Sequence, residues 1–455
     1  MKTRFSLLSK SHTRRIAPPR FSLPASRLCG LLISGVLALT GFAFAQVPQA
    51  DTKQRLRAVK DLAKQGQDGI PQLAPYVADP DVGVRAEAVK ALDDIGGPKT
   101  VDPLVRAAHD SDAEIQIRAT DGLVNVYLPG YLKTGLSGTI QRVGSTVKSK
   151  FSDSNDQMID AYVQVRPEVI EALGRLARMG STVDARANAA RAAGILRGRA
   201  AIPDLAEAMH SKDDQVMYES LIAIQKIRDP SAAPRVTFLL RDLNEKIQVT
   251  ALETTGLLRN QEAAPDVRDA LEHARSIKVR RAALSALAML GEPADRPTFS
   301  RYLSDKDDAL RAAAAEGLGR LKDPGDRAQL DKSFTDERKM NARLAGAFAL
   351  VDLGNLDMGE FSPLRYLINT LNVRTYRDVA AAYLIEVTRD PKVRQVVYTA
   401  LPGATKDEKI QLSIVLSRSG DRDSVPFLET LSKDPDKEVA EEGIRSLRTL
   451  QARLP

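Results

Sequence analysis

One unit of about 31 residues recurs from near residue 50 to the C-terminus, and it restricts the fold more than any other feature of the chain. It is clearest at residues 70–98, IPQLAPYVADPDVGVRAEAVKALDDIGGP. A first helix is expected from Pro71, because proline is tolerated in the opening turn of a helix. Asp79, Pro80 and Asp81 supply a turn. A second helix follows. Its Val84, Ala88, Ala91, Leu92 and Ile95 fall at the three-and-four spacing of one apolar face, and Gly96 and Gly97 stop it. One such pair buries only part of its apolar surface, so it needs copies on both sides.

The copies are present. Val84 is the first buried position of the second helix. Its counterparts are Ile115, Ala185, Val216, Ile247, Val279, Leu310, Ala342 and Val439, at steps of 31, 70, 31, 31, 32, 31, 32 and 97 residues. The step of 97 holds three weaker repeats, through VAAAYLIEV at 379–387 and IQLSIVLSRSG at 410–420. The step of 70 is one period plus an insertion. A first-helix proline recurs at Pro71, Pro103, Pro203, Pro234, Pro265, Pro297 and Pro426. Residues 51–65 read as a lone capping helix. The charged final repeat, 425–454, suits a terminal cap with one wet face.

The segments VRAEAVKALDDIG, VRRAALSALAMLG and LRAAAAEGLGRLK resemble HEAT repeats, and more narrowly the short bacterial HEAT-like repeats also found in phycobilin lyases. The resemblance implies an all-α fold: a right-handed α-solenoid of about eleven helix pairs with one helical insertion. The corresponding division is 1–45 leader, 46–130 capping helix and first repeats, 131–165 insertion, and 166–455 repeats with a C-terminal cap. Eleven pairs at about 8–10 Å each would make a curved rod roughly 90–110 Å long. The resemblance says little about activity, because one fold hosts many functions. The HEAT-repeat hydroxylases of deoxyhypusine hold iron through His-Glu dipeptides, and this chain has no His-Glu.

The net charge of +7 does not argue for nucleic acid. Seven of the 66 basic residues lie in an acid-free start (Lys2, Arg4, Lys10, Arg14, Arg15, Arg20 and Arg27), leaving 59 against 59 acidic ones. The apolar stretch LCGLLISGVLALTGFAFA at 28–45 follows, ending small-x-small at Ala43-Phe44-Ala45. This is a secretory signal pattern, with cleavage expected after Ala45 and a periplasmic destination. An uncleaved inner-membrane anchor is the alternative. The one cysteine, Cys29, lies in the leader, so the mature chain is expected to have no disulfide and no thiolate chemistry.

No catalytic, cofactor or metal site is expected. His109, His210 and His273 occupy equivalent places in separate repeats, too far apart to share an ion. Gly135-Leu136-Ser137-Gly138 lacks the spacing of a nucleophile elbow, and no Gly-Lys phosphate loop or HExxH occurs. An arginine follows the marker residue at Arg85, Arg186, Arg280, Arg311 and Arg343. It reads either as a basic ladder for an acidic partner or as a structural ladder bonding turn carboxylates and carbonyls, and the second reading is favoured.

The insertion is the one part outside the repeat. Leu132, Leu136, Ile140, Val143, Val147 and Phe151 form a single helical stripe flanked by Lys133, Arg142, Lys148 and Lys150. The stripe packs onto the repeats, binds a partner protein, or lies on a membrane surface. A turn at 152–156 and a second short helix are expected after it. The overall reading is a non-enzymatic, protein-binding scaffold of the bacterial envelope. Its alternative is a peripheral membrane-associated protein held by the leader or the insertion, and a HEAT-like lyase comes third.

Overall fold

The computed structural model describes residues 51–131 and 157–454. The leader, the stripe residues Leu132, Leu136, Ile140, Arg142, Val143, Val147 and Phe151, and the turn at 152–156 lie outside the described residues. No strand occurs among the described ones. They form an all-α solenoid.

The helix Thr52–Ala63 precedes eleven helix pairs. The second members are Val82–Ile95, Ala113–Tyr127, Val183–Ile195, Asp214–Ile227, Glu245–Leu257, Ile277–Leu290, Asp308–Leu321, Met340–Asp352, Arg377–Val387, Lys406–Ser419 and Lys437–Gln451. They stack on one another in sequence order, and most first members pack against their own partners. Most first members are shorter, and that of the fifth pair is only two 3₁₀ turns, Pro230–Arg235 and Thr237–Arg241. Most of the recurrent prolines sit at the second helical position, as Pro203, Pro265, Pro297 and Pro426 do, rather than at the first. Either place leaves no intrahelical bond unmade, because the first N–H groups of a helix have no internal acceptor.

All nine marker residues are buried and stand third in their helices. That register is set by the cap. Asp81, Asp112, Asp307 and Asp436 each accept the backbone N–H of the marker and of the residue before it. Asn244 accepts the same pair, while Thr182 and Ser276 take the marker's N–H alone. A further side chain fixes the cap itself, as Asp79 Oδ1 accepts Asp81 N–H at 2.9 Å and Asp305 Oδ1 accepts Asp307 N–H at 2.8 Å. Each cap contributes about 1 kcal/mol and ends the turn at the same residue in every repeat.

The second helices lie closer than large side chains would permit. A Cβ on Gly194 would stand 2.7 Å from the Ala223 Cα, and one on Gly319 2.6 Å from the Ala349 Cα. This is why alanine and glycine crowd these helices while leucines and phenylalanines fill the layer between first and second members. Phe299, for instance, is fully buried against the notch left by Gly317. A fully buried side chain of that size contributes about 2–3 kcal/mol.

The stack turns as well as translates, and the expected long rod is corrected on this point. Arg259 follows the fifth second helix and Glu386 lies on the ninth. Four steps of a straight stack would separate them by about 32–40 Å, yet Arg259 Nη2 donates to Glu386 Oε1 at 3.1 Å. Arg445, on the eleventh, pairs with Asp160 at 2.7 Å, and Asp160 precedes the third pair. The C-terminal ends of the second helices therefore line a concave surface.

Residues 157–165 are not helical, against the expectation of a second short helix there. Their backbone bonds are taken by the repeats instead. Ile159 N–H donates to Ile195 O at 3.1 Å, Arg197 Nε donates to Ile159 O at 3.1 Å, and Lys226 Nζ donates to Gln157 O at 3.2 Å.

Candidate functional site: two ends of the second helices

The arginine ladder stands at the N-terminal ends of the second helices, where its members mostly serve packing. Arg85 donates to Asp110 at 2.6 and 3.2 Å and to Asp79 O at 2.9 Å. Arg311 repeats this with Glu337 at 2.6 and 3.0 Å and Asp305 O at 2.8 Å. Each thus closes the first helix of its own repeat and grips the turn carboxylate of the next. Glutamine replaces the carbonyl half of that role: Gln116 Nε2 reaches Asp110 O at 2.5 Å, and Gln248 Nε2 reaches Leu240 O at 2.9 Å. Arg186 Nε reaches Ala177 O at 3.3 Å. Arg343 stacks on Phe334 and Tyr366, with its guanidinium 5.1 and 4.9 Å from the ring centroids. Half-buried Arg280 makes no hydrogen bond or ion pair to a described residue.

The histidines stay apart. His210 stacks on Phe238 at 4.2 Å between centroids, and His273 Nδ1 lies 3.1 Å from Asp269. Among the described residues no group of three His, Cys, Asp or Glu side chains is arranged to hold a metal, and no helix is long and apolar enough to cross a membrane.

The opposite ends hold a second basic row that the spacing argument passed over. Twelve residues beyond the marker, the chain leaves seven of the second helices at positive φ. Glycine occupies that position at Gly96, Gly291 and Gly354, as a helix C-terminus normally requires. Four repeats carry a long cation there instead: Arg197, Arg228, Arg259 and Lys322, at φ of 50°, 54°, 52° and 56°. A side chain in this conformation costs roughly 1–2 kcal/mol relative to glycine. The signal was readable as arginine in the glycine register.

Two members of the row are neutralised. Arg259 pairs with Glu386, and Lys322 Nζ pairs with Asp352 at 2.9 Å. Glu386 also receives Arg320 at 2.8 and 2.9 Å. Arg320 in turn donates to Glu316 at 2.9 Å and lies 4.9 Å from the Phe348 ring centroid, and Tyr383 Oη donates to Glu316 Oε1 at 2.6 Å. Burial opposes the Arg320 charge, but the Glu386 hydrogen bond and the charges of Glu316 and Glu386 hold its pKa above the ordinary arginine range. Burial raises Glu386, yet Arg320 outweighs it and keeps that carboxyl below its usual value.

The other two members face further arginines. Thr388 and Ser419, the chain neighbours of Arg389 and Arg418, share a 2.7 Å hydrogen bond, and both arginines act on the charge of Arg228. Arg453 Nη1 donates to Ser417 O at 2.6 Å, next to the same Arg418. Arg228, Arg389 and Arg418 make no side-chain hydrogen bond or ion pair to any described residue. They are exposed to water along the concave surface yet walled by protein. Burial and then the repulsion of Arg418 push both Arg197 and Arg228 below the ordinary arginine value. The carboxylates nearby among the described residues are Asp160, occupied by Arg445, Glu442, whose pKa burial raises and which lies 3.9 Å from the same Arg445, and Glu386, already taken by Arg259 and Arg320, whose charge Arg389 also feels.

The family model for HEAT repeats matches residues 44–124, 234–303 and 268–351. No curated protein matches the sequence. Among solved structures, the chain is similar to an engineered protein at 17% identity and a TM-score of 0.38, covering 89% of this chain and 97% of that one. It is similar to the complex of CpcE and CpcF of phycocyanin lyase from Nostoc sp. PCC7120 at 17% identity and a TM-score of 0.35, covering 62% and 94%. Human deoxyhypusine hydroxylase in complex with glycerol matches at 16% identity and a TM-score of 0.25, covering 65% and 97%. The matched segments are HEAT repeats, and the chain stacks its repeats as an all-α solenoid.

Proposed function

We propose that the protein is a non-enzymatic scaffold of the bacterial cell envelope that holds another protein on its concave face. The observation that carries this reading is the set Arg228, Arg389 and Arg418 at the second-helix C-termini, whose side chains pair with no carboxylate among the described residues. HEAT repeats in general mediate contacts between proteins, and a stack of helix ends offers many side chains to an extended partner. Export rests on the leader pattern at residues 1–45. The 132–151 stripe is a second candidate contact.

The test is site-specific photo-crosslinking in cells. A photoreactive residue at Glu253, on the second-helix face, is compared with one at Lys332 on an exposed first helix. A discrete adduct from Glu253 that is absent from Lys332 is expected. Adducts from Lys332 alone, or from neither, refute the scaffold reading. Fractionation after a high-salt wash tests the envelope assignment, with the protein expected in the soluble periplasmic fraction.

A further inference from the structure

Beyond the scaffold reading, and resting on it, the arginine groove indicates the chemistry of the partner. We propose that Arg228, Arg389 and Arg418, with Arg197 and Arg453 at the rim, bind a carboxylate-rich extended segment of the partner protein.

Three observations on the groove converge. First, among the described residues its cations outnumber their counter-charges. Among the described residues six guanidinium groups, those of Arg197, Arg228, Arg389, Arg418, Arg445 and Arg453, meet three carboxylates: Asp160 and Glu442, both beside Arg445, and Glu386, which Arg259 and Arg320 already occupy. Like charges held together in a protein-walled groove destabilise one another until an anion enters. Second, Arg197 and Arg228 occupy the glycine register in strained backbone. The four residues at that register that keep a cation are the non-glycine positions with positive φ among the described residues. For Arg228 nothing in the described structure repays the strain, because its guanidinium has no described partner. Strain of this kind points to a role outside folding.

Third, the groove already shows how it holds an extended segment and its carboxylate. The chain's own residues 157–160 lie along the second-helix ends, with Arg197 and Lys226 donating to the carbonyls of Ile159 and Gln157. Arg445 then takes the Asp160 carboxylate through Nε at 3.0 Å and Nη2 at 2.7 Å. Arg228, Arg389 and Arg418 continue this surface with the same planar, two-pronged donors, which match a carboxylate best. The occupant is therefore a peptide with several acidic side chains in succession, docked alongside residues 157–160.

Binding of fluorescein-labelled hexaglutamate to the purified protein, followed by anisotropy, tests this. Wild type is expected to bind with an affinity that falls steeply as salt rises. Arg228→Gly and Arg418→Gln are each expected to weaken binding roughly tenfold, and Lys332→Gln on an exposed first helix is expected to leave it unchanged. The second readout is the melting temperature. Arg228→Gly is expected to match or exceed wild type, since glycine suits the left-handed backbone and one repelling charge is gone. Unchanged affinity in both variants, or a lowered melting temperature in Arg228→Gly, overturns the proposal. So does binding of inorganic pyrophosphate without binding of hexaglutamate, which would assign the groove to a small oxyanion. In any of these cases a Glu253 crosslink that persists leaves the scaffold reading standing.

Discussion

Replacing Arg320 with methionine tests whether the concave face is held together by buried charge. The Arg320 side chain is 10% exposed and sits between Glu316 at 14% and Glu386 at 25%. Methionine keeps much of the stem's packing but strands two carboxylates. Breaking a buried pair by removing one partner costs about 3–5 kcal/mol. Glu386 keeps Arg259, and Glu316 keeps the Tyr383 hydroxyl. The loss is therefore expected at the low end, about 3 kcal/mol. A solenoid unfolds in parts, so one global midpoint would blur the effect. Hydrogen exchange over Asp308–Leu321 and Arg377–Val387 reads it locally. The sign with pH is specific. In wild type the Glu386 carboxyl is held down, so its contribution is complete above the unfolded pKa and fades as the pH falls through the lower folded value. In the variant burial, the first cause acting on Glu386, lifts that carboxyl, so the deficit is largest at neutral pH and shrinks as acid protonates it. Adding Glu386→Gln should recover part of the loss. A deficit below about 1 kcal/mol at neutral pH, the ceiling for a typical exposed pair, refutes the reasoning, as does a deficit that does not change with pH.

Three further outcomes follow from the packing. Gly319→Ala should lose about 1–3 kcal/mol despite the better helix propensity of alanine, because its Cβ would press on the Ala349 Cα, while Gly403→Ala, with nothing within 4 Å, should be near neutral in a urea melt. Asp307→Ala should lose about 2 kcal/mol, since Asp307 caps Ala309 and Leu310 and also receives Arg281, whereas Asp307→Asn should retain most of the cap, both read by thermal denaturation. The Arg281 and Arg311 hydrogen bonds hold Asp307 and Glu337 below the usual carboxylate range. Their contribution should therefore persist above the unfolded pKa and disappear as the pH falls through the folded values, and Glu337→Gln should flatten the acid limb of a melting-temperature profile.

Much of this architecture was legible in the residues. The marker spacing, the turn aspartates and the glycine stops locate the second helices, because capping and amphipathic periodicity are local physics. The first members were read less well. At 230–241 two 3₁₀ turns replace a regular helix; Thr237–Arg241 packs against Glu245–Leu257, and Pro230–Arg235 against Ile202–Ala208. Residues 157–165 were misread as helical because nothing in their own sequence shows that Ile195, Arg197 and Lys226 take their backbone bonds. The ladder arginines drew attention because they follow the most regular residue of the repeat. The arginines in the glycine register were equally regular, at twelve residues past the marker.

The sequence by itself determined the repeat, the helix pair and the neutral charge balance beyond residue 50, since each depends on residues within one period. The tertiary structure alone decided which cations are neutralised. Arg259 and Arg228 stand in the same place in adjacent repeats, yet Glu386 reaches the first, and Arg389 and Arg418 crowd the second. That difference arises from the turn of the solenoid, a small rotation at each helix contact that accumulates over many repeats and brings distant helix ends together.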